Sequence, residues 1–409
     1  MLVVYIHPEQ WNGGSDRFAA GLLRYFDKNN HRVIWLTTMI DSHWRQEEFG
    51  SNVEIWEVGL PLHPGDWFSQ NVALGFRLIM SRLDPDLIIV DHSASCLPPL
   101  KWRFPRAKIL FYCHFPQQLV TPSRFFLYRW YSSIIALVEE LLFERADLIM
   151  MNSEFTAQSF ARVMPSTPKE KMRVVYPPCD VDAIRSGAEP PISRLCRAKN
   201  KRYVFLSVNR FWPEKRLDII VEAAALMKAE GYEPIVKLAG SVMPHIPESR
   251  IYYELLQNMA TDLDVSDIIE FVPSPTDEQK FVLFRECDSA LYTPPNEHFG
   301  IVPIEALDQR RPVIVCDSGG PAETVIEGVT GSKIAAPCGR LLADAMIAHM
   351  KQSSWPALDN EDSFVDQQRR FVANFSSNGF AQKMNEALDT LFGKGASKNV
   401  VSSRARAQA

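Results

Sequence analysis

Short apolar runs, none longer than a single strand needs, punctuate this sequence, and patterns of helical period fill the intervals between them. In the first half they are Leu2–Ile6, Val33–Thr37, Leu87–Val90, Lys108–Tyr112, Leu148–Met151 and Arg173–Val175. Strands that are apolar throughout, and alternate with helices, belong to a parallel sheet covered on both faces. Ser15–Asp27 illustrates the helical intervals: Phe18, Leu22, Leu23 and Phe26 share one face, and Ser15 is placed to cap it. The series stops at Tyr176-Pro177-Pro178-Cys179. A polar, basic stretch, about Ala188–Arg202, reads as a connection or surface loop, and the pattern then restarts. Val204–Val208, Ile235–Ala239, Ile268–Val272, Ser289–Tyr292, Pro312–Val315 and Gly331–Ile334 are the second set of strands, with helices over Arg216–Ala229 and Phe380–Phe392. The expectation is an α/β chain of two Rossmann-like, doubly wound domains with an inter-domain cleft. The boundaries fall at 1–178 and 179–379, with a helix over 380–393 packing back toward the first domain and a basic tail, 394–409, that has no acid and reads as disordered.

The composition agrees. At 409 residues, 46% hydrophobic and 23% charged, the chain has material for two ordinary globular cores. A formal net charge of −5 gives no global basic field, so nucleic acid is not an expected partner. Seven scattered cysteines, without a Cys-x-x-Cys pair, argue against a disulfide framework or a structural zinc and fit a reducing compartment. The N-terminal apolar run is strand-length with no basic segment before it, so no secretory signal is expected. No apolar stretch reaches 18 residues, so no membrane span is expected either.

In doubly wound sheets, ligands bind beyond the carboxyl ends of the strands. The residues there carry the chemistry. The segment Tyr292-Thr293-Pro294-Pro295-Asn296-Glu297-His298-Phe299-Gly300-Ile301-Val302-Pro303-Ile304-Glu305-Ala306 follows a strand, and Gly300 opens a helix. Pro303 is tolerated because first-turn amides have no intrahelical partner. The free amides at Gly300, Ile301 and Val302, with the helix dipole, suit a diphosphate. Glu305 lies about five residues into the helix, roughly 7–8 Å along its axis. That reach matches the distance from a diphosphate to a ribose diol, whose hydroxyls a carboxylate accepts. Glu297 precedes the helix, where a sugar beyond the diphosphate would lie. The plainer reading is a helix start with a solvated Glu297 and a capping Glu305.

After the strand Val204–Val208 come Arg210 and Lys215, two cations at a strand-to-helix turn, suited to charge that develops on a departing diphosphate. They serve equally as a surface pair for acids such as Glu214. Gly13 and Gly14 follow the first strand and let backbone amides approach phosphate, or make a tight turn. His114 stands past Lys108–Tyr112. Ser318, Gly319 and Gly320 follow Pro312–Val315, as ligand loop or as turn, and Val272 and Pro273 are weak candidates for flanking a base. His7, His31, His43, His63, His92, His245, His298 and His349 show no His-x-x-x-His spacing, so no metal is expected.

The Glu-x7-Glu element with Phe-Gly-Ile-Val-Pro-Ile-Glu-Ala resembles glycosyltransferase family 4, the retaining transferases of the GT-B fold. Leu110–Pro116, Asn152–Thr156, Ser207–Arg210 and Asp317–Pro321 are similar to its members that extend dolichol-linked oligosaccharides, and the likeness runs from Val3 to about Phe392. The resemblance implies an N-terminal acceptor-binding domain and a C-terminal nucleotide-sugar domain. It implies catalytic roles for His114 and Glu297, an Arg210–Lys215 diphosphate clamp, a ribose contact at Glu305, and a phosphate or acceptor loop at Gly13-Gly14. It implies mannose transfer from GDP-mannose, with no tightly bound cofactor, to Man-GlcNAc2-diphosphate-dolichol, first α-1,3 and then α-1,6. The partners implied are that donor, the lipid-linked acceptor, the cytoplasmic leaflet of the endoplasmic reticulum, and other early glycan-assembly enzymes. Other readings are a related transferase with another donor, or a non-catalytic scaffold that binds sugar nucleotide or lipid. Arg124–Phe143 is aromatic and aliphatic, with Glu139 and Glu140 near its end, and reads either as an interfacial membrane helix or as a long helix with one buried face.

Overall fold

A computed structural model describes the chain except residues 12–13, 42–43, 47, 60–62, 64, 117–139, 180–190, 197–201, 244–245 and 394–409. The expected basic tail, Gly13, and most of Arg124–Phe143 and Ala188–Arg202 therefore lie outside the described residues. The strands, in chain order, are β1 Leu2–Ile6, β2 Glu9–Gln10, β3 Arg32–Thr37, β4 Met39–Ile40, β5 Val53–Glu57, β6 Leu87–Asp91, β7 Lys108–Cys113, β8 Leu148–Met151, β9 Met172–Val174, β10 Val204–Val208, β11 Ile235–Gly240, β12 Ile269–Pro273, β13 Ser289–Tyr292, β14 Val313–Cys316 and β15 Gly331–Ile334. The chain divides into two compact units: Met1–Pro178 with the residues from Ser377 onward, and Cys179–Ser376.

In the first unit the sheet runs β5-β3-β1-β6-β7-β8-β9 and is parallel throughout. Side chains alternate between its faces. Val3, Tyr5, Trp35, Ile89 and Tyr112 enter one core with Phe18, Leu22 and Phe26 of the helix Gly14–Lys28 and Phe380, Met384 and Leu388 of the helix Ser377–Phe392. Val4, Ile6, Leu36, Val90 and Phe111 enter the other, with Leu74, Leu78, Leu97 and Leu100. Burial on both faces is the physical reason the inner strands are apolar along nearly their whole length, as in β1 and β8. The C-terminal helix docks on the first through Tyr25 Oη, which donates to Asn385 Oδ1 at 2.7 Å, and an edge-on Phe18–Phe380 contact.

The second sheet runs β12-β11-β10-β13-β14-β15, also parallel, over a core that joins Phe205, Leu238 and Leu291 to the helices Asp218–Ala229 and Gly339–Lys351. In each unit strand order reverses beside the first strand, between β1 and β6 and between β10 and β13, which sets a ligand crevice at those carboxyl ends. One local expectation is corrected. The helix predicted from Arg216 begins at Asp218, because Pro213–Lys215 closes a 3-10 turn and Arg216 adopts φ 50°, where no right-handed helix continues.

Candidate active site

The rim of the second sheet gathers most of the predicted residues. Past β13 the chain runs through Glu297 to Gly300, whose φ of 81° and missing side chain let the helix Ile301–Asp308 start there. A Cβ on Gly300 would lie 2.9 Å from Pro321 Cγ and 3.1 Å from Tyr292 Cε1. No side chain caps this helix, so its leading amides, Ile301 and Val302 among them, have no side-chain acceptor. The loop after β14 braces the loop after β13. Gly320 N donates to Glu297 O at 2.8 Å, Asn296 N donates to Ser318 Oγ at 3.1 Å, and Gly319, at φ 78°, lies flat against the Glu297 backbone.

Glu297 forms an ion pair with Lys215 Nζ and also takes a hydrogen bond from Tyr292. Burial alone would push its carboxyl up; the Lys215 charge outweighs that and holds it below the usual range. Tyr292 moves the other way, well above its ordinary value, through burial and the Glu297 charge. Lys215 thus pairs with Glu297, not with Glu214, and its carbonyl accepts from Thr293 Oγ1 at 2.8 Å, which ties the turn after β10 to the end of β13. Arg210 is exposed on the same rim, and Asn209 and Phe211 on either side are pinned by backbone bonds to Ala239 and Ser241. Glu305 is 2% exposed, and its Oε1 is 2.8 Å from Lys280 Nζ, which also reaches Asp277 Oδ1 at 3.0 Å. Val272 and Pro273 end β12, separated from β13 by β11 and β10 on the same sheet.

The rim of the first unit is built around Asp91, the last residue of β6, which is wholly buried. Its Oδ2 accepts from Tyr5 Oη at 2.7 Å and His7 Nδ1 at 2.7 Å, and lies 3.3 Å from His114 Nε2. His7 reaches Asp16 Oδ1 with its other nitrogen at 3.4 Å. Burial works against a charged His7, but the Asp91 charge and hydrogen bond, with the Asp16 carboxylate close by, prevail and lift it to about 10. Burial would raise Asp91 as well; the His7 charge and the bonds from His114 and His7 hold it well below the carboxylate range. His92, against Trp67 and His114, is depressed to about 3 by burial. Asn152 Nδ2 donates to His114 O at 2.9 Å and so fixes the loop after β7. Gly14 opens its helix exposed, with open space where a Cβ would stand, so sterics alone do not require glycine there.

Strand-end chemistry in the sequence did not single out Asp91, His7, Tyr292 or Lys280 as site residues. Asp91 and His7 sit at strand ends beside the reversal of strand order, so the strand-end rule itself, applied to acids as well as to glycines, points to them. Among the described residues, His7, Asp91 and His92 bring ligand atoms within 4.8 Å of one another. In this arrangement His7 bonds to Asp91 through Nδ1 at 2.7 Å. Among the described residues, the Asp-x-Asp triplets Asp84-Pro85-Asp86 and Asp262-Leu263-Asp264 precede β6 and β12, at the opposite ends of those strands from the site, and Asp86 Oδ2 there accepts from Leu2 N at 2.8 Å; a third triplet, Asp180-Val181-Asp182, lies outside the described residues.

Known proteins match both halves. A family model described as "Glycosyltransferase Family 4" covers residues 12–183, and one described as "Glycosyl transferases group 1" covers residues 193–370. Alpha-1,3/1,6-mannosyltransferase ALG2 of Homo sapiens is 31% identical over 80% of this chain and 82% of its own length. The Mus musculus protein of the same name is 27% identical over 95% of this chain and 96% of its own. Sucrose-phosphate synthase from Thermosynechococcus elongatus superposes with a TM-score of 0.73 at 17% identity, covering 96% of this chain and 99% of that one, a likeness of fold. With each sheet unit matched in order and the human relative matched over four-fifths of the chain, the protein is a GT-B glycosyltransferase and belongs to the alpha-1,3/1,6-mannosyltransferase family.

Proposed function

We propose that the protein is a retaining mannosyltransferase that moves mannose from GDP-mannose to Man1GlcNAc2-diphosphate-dolichol. It adds an α-1,3 and then an α-1,6 mannose to give the Man3GlcNAc2 product. The observation that carries this reading is the rim of the second unit. An uncapped helix start, an exposed Arg210 and a Lys215 fixed by its neighbours converge there, in a chain 31% identical to a named mannosyltransferase. The donor diphosphate takes the amides of Ile301 and Val302 together with Arg210 and Lys215, and the ribose takes Glu305. Glu297 holds Lys215 in place and meets the sugar hydroxyls, and His114 serves the reacting sugar. Gly14 serves the acceptor or phosphate side, the role that Gly13, outside the described residues, would share. The acceptor hydroxyl attacks the anomeric carbon as the bond to the diphosphate oxygen breaks, and its proton passes to that departing oxygen on the same face. The clamp stabilises the charge that builds on the diphosphate and supplies electrostatically what a metal would otherwise provide. No tightly bound cofactor enters this chemistry.

The site of action is the cytoplasmic face of the endoplasmic reticulum, at the membrane interface, beside other early glycan-assembly enzymes. No described helix is long and apolar enough to cross a membrane. An interfacial contact is supported by the helix Trp67–Ile79, which carries no acid. Its buried face holds Leu74 and Leu78, while Phe68, Val72, Phe76 and the capping Met80 form an exposed stripe at four-residue spacing.

The test is mass-resolved transfer from GDP-mannose to a synthetic lipid-linked Man-GlcNAc2 diphosphate in liposomes. Wild type adds two hexoses; Arg210→Ala and Glu297→Ala each lose about 100-fold or more in rate. Transfer from UDP-sugars but not from GDP-mannose overturns the donor. No transfer from any sugar nucleotide by folded wild type overturns the enzymatic reading in favour of a scaffold.

A further inference from the structure

We propose that Asp91 and His7 are positioning residues for His114. In this arrangement a buried carboxylate, held in place by a histidine cation, fixes the proton of His114 on Nε2 and leaves Nδ1 as the nitrogen that meets substrate. The inference rests on the assignment of His114 to the reacting sugar.

The bonding of Asp91 is lopsided. Oδ2 collects Tyr5, His7 and His114, while Oδ1 is buried without a hydrogen-bond partner. A carboxylate kept only for packing would use both oxygens, because a buried acceptor left unpaired costs free energy. All three donors approach one oxygen, so the acid is oriented toward a particular point. His114 is the only one of the three donors that is more than marginally exposed, with 16% of its side chain accessible.

The charges point the same way. The groups facing Asp91 are Tyr5 and His7 from β1 and its end, Asp16 from the helix Gly14–Lys28, His92 just after β6, and Tyr112 and His114 from β7 and its end. Two carboxylates, Asp91 and Asp16, flank His7, at 2.7 and 3.4 Å from its two ring nitrogens. Tyr5 is held protonated by burial and Asp91, and His92 is held neutral by burial. His114 Nε2, at 3.3 Å, completes the set of donors on Asp91 Oδ2. His7 acts one step further back: bound through Nδ1 to Asp91, it keeps that carboxylate ionised in a site closed to solvent. Phe18, edge-on to the His114 ring at 5.7 Å, and the tilted His92 ring at 4.7 Å limit ring rotation, so the tautomer also sets the direction of Nδ1.

Three single variants and one combination test this: Asp91→Asn, His114→Ala, His7→Gln and the Asp91→Asn/His114→Ala double variant. In histidine-labelled wild type, nitrogen shifts place the His114 proton on Nε2. In Asp91→Asn they move toward the other tautomer, since an amide at that position no longer demands a donor. Turnover falls about 100-fold in Asp91→Asn, while KM for GDP-mannose stays within about twofold. The double variant is no slower than His114→Ala, because the two residues act as a unit. His7→Gln gives a smaller loss of the same kind. If Asp91→Asn fails to fold around the unmatched His7 cation, Asp91→Asn/His7→Gln removes both charges and takes its place in each measurement. Unchanged His114 shifts in a folded Asp91 variant overturn the proposal, as do losses that multiply in the double variant. A wild type that transfers no mannose, yet shows the shift change, sinks the functional reading and leaves the coupling standing.

Discussion

At the residue scale the Lys215–Glu297 pair has two separable duties. Lys215→Met leaves Glu297 partly buried beside Tyr292 with no counter-ion, and its carboxyl rises. The expected result is a fall in stability of about 1–3 kcal/mol and a loss of kcat/KM for GDP-mannose of about 100-fold. Lys215→Met/Glu297→Gln removes both charges and regains most of the stability without regaining activity. Denaturant titration and donor kinetics on the same preparations separate the two effects. A double variant that recovers activity as well would mean the pair serves only the fold. The rim residues of the second unit were legible in the sequence because they sit on the strand-to-helix segments that follow β10 and β13, from Arg210 just past one strand to Glu305 in the helix after the other, so local chemistry exposed them. Partners that stand away from such segments, in either unit, were not. Asp91 meets His7 across 84 positions and Glu305 meets Lys280 across 25, and only the sheet order brings such residues together.

At the element scale, strands buried on both faces announced themselves as apolar runs. The edge strand β5 did not: Glu54 and Glu57 interrupt its apolar residues and are left largely in solvent, so the run looks like a loop. The turn after β10 departs from expectation for a different reason. Arg216 is an ordinary helix former, and only its left-handed backbone, stapled by its own guanidinium to Asp218, delays the helix. Two elements carry predictions. Gly319→Ala would set a Cβ 2.4 Å from Glu297 O at a φ of 78°, so the loop that carries Glu297 must shift. Donor KM should rise more than tenfold, with little change in a calorimetric melt of the first unit; an unchanged KM would show that the two loops are not coupled. Phe380→Ala empties an edge-on contact with Phe18 in the core of the first unit and should destabilise that unit by about 3–5 kcal/mol. Equal destabilisation of the second unit would contradict the assignment of the C-terminal helix to the first.

At the scale of the whole molecule, the two units should answer pH differently, because their buried histidines are tuned in opposite directions. In the second unit, His349 lies between Ser289 Oγ and Ser332 Oγ, each at 3.0 Å, and burial with the Arg194 charge lowers it to about 3. In the first, burial lowers His92 to about 3, while His7 is raised to about 10, burial being overcome by Asp91 and Asp16. A histidine depressed in the folded state binds its proton more readily once unfolded, so stability falls as pH drops from about 6.5 toward 3, by up to about 1.4 kcal/mol per pH unit for each such group. A histidine raised in the folded state does the reverse: its contribution is complete below about 6.5 and is lost as pH climbs toward 10. The first unit should therefore lose stability on both sides of neutrality, and the second on the acid side through its histidine. Calorimetric scans from pH 4 to about 9.5 on wild type and His7→Gln distinguish these arms. The variant should lose the alkaline slope of the first unit and leave the second unit's profile untouched. An alkaline slope that survives in His7→Gln would mean that His7 is not the cation that keeps Asp91 charged.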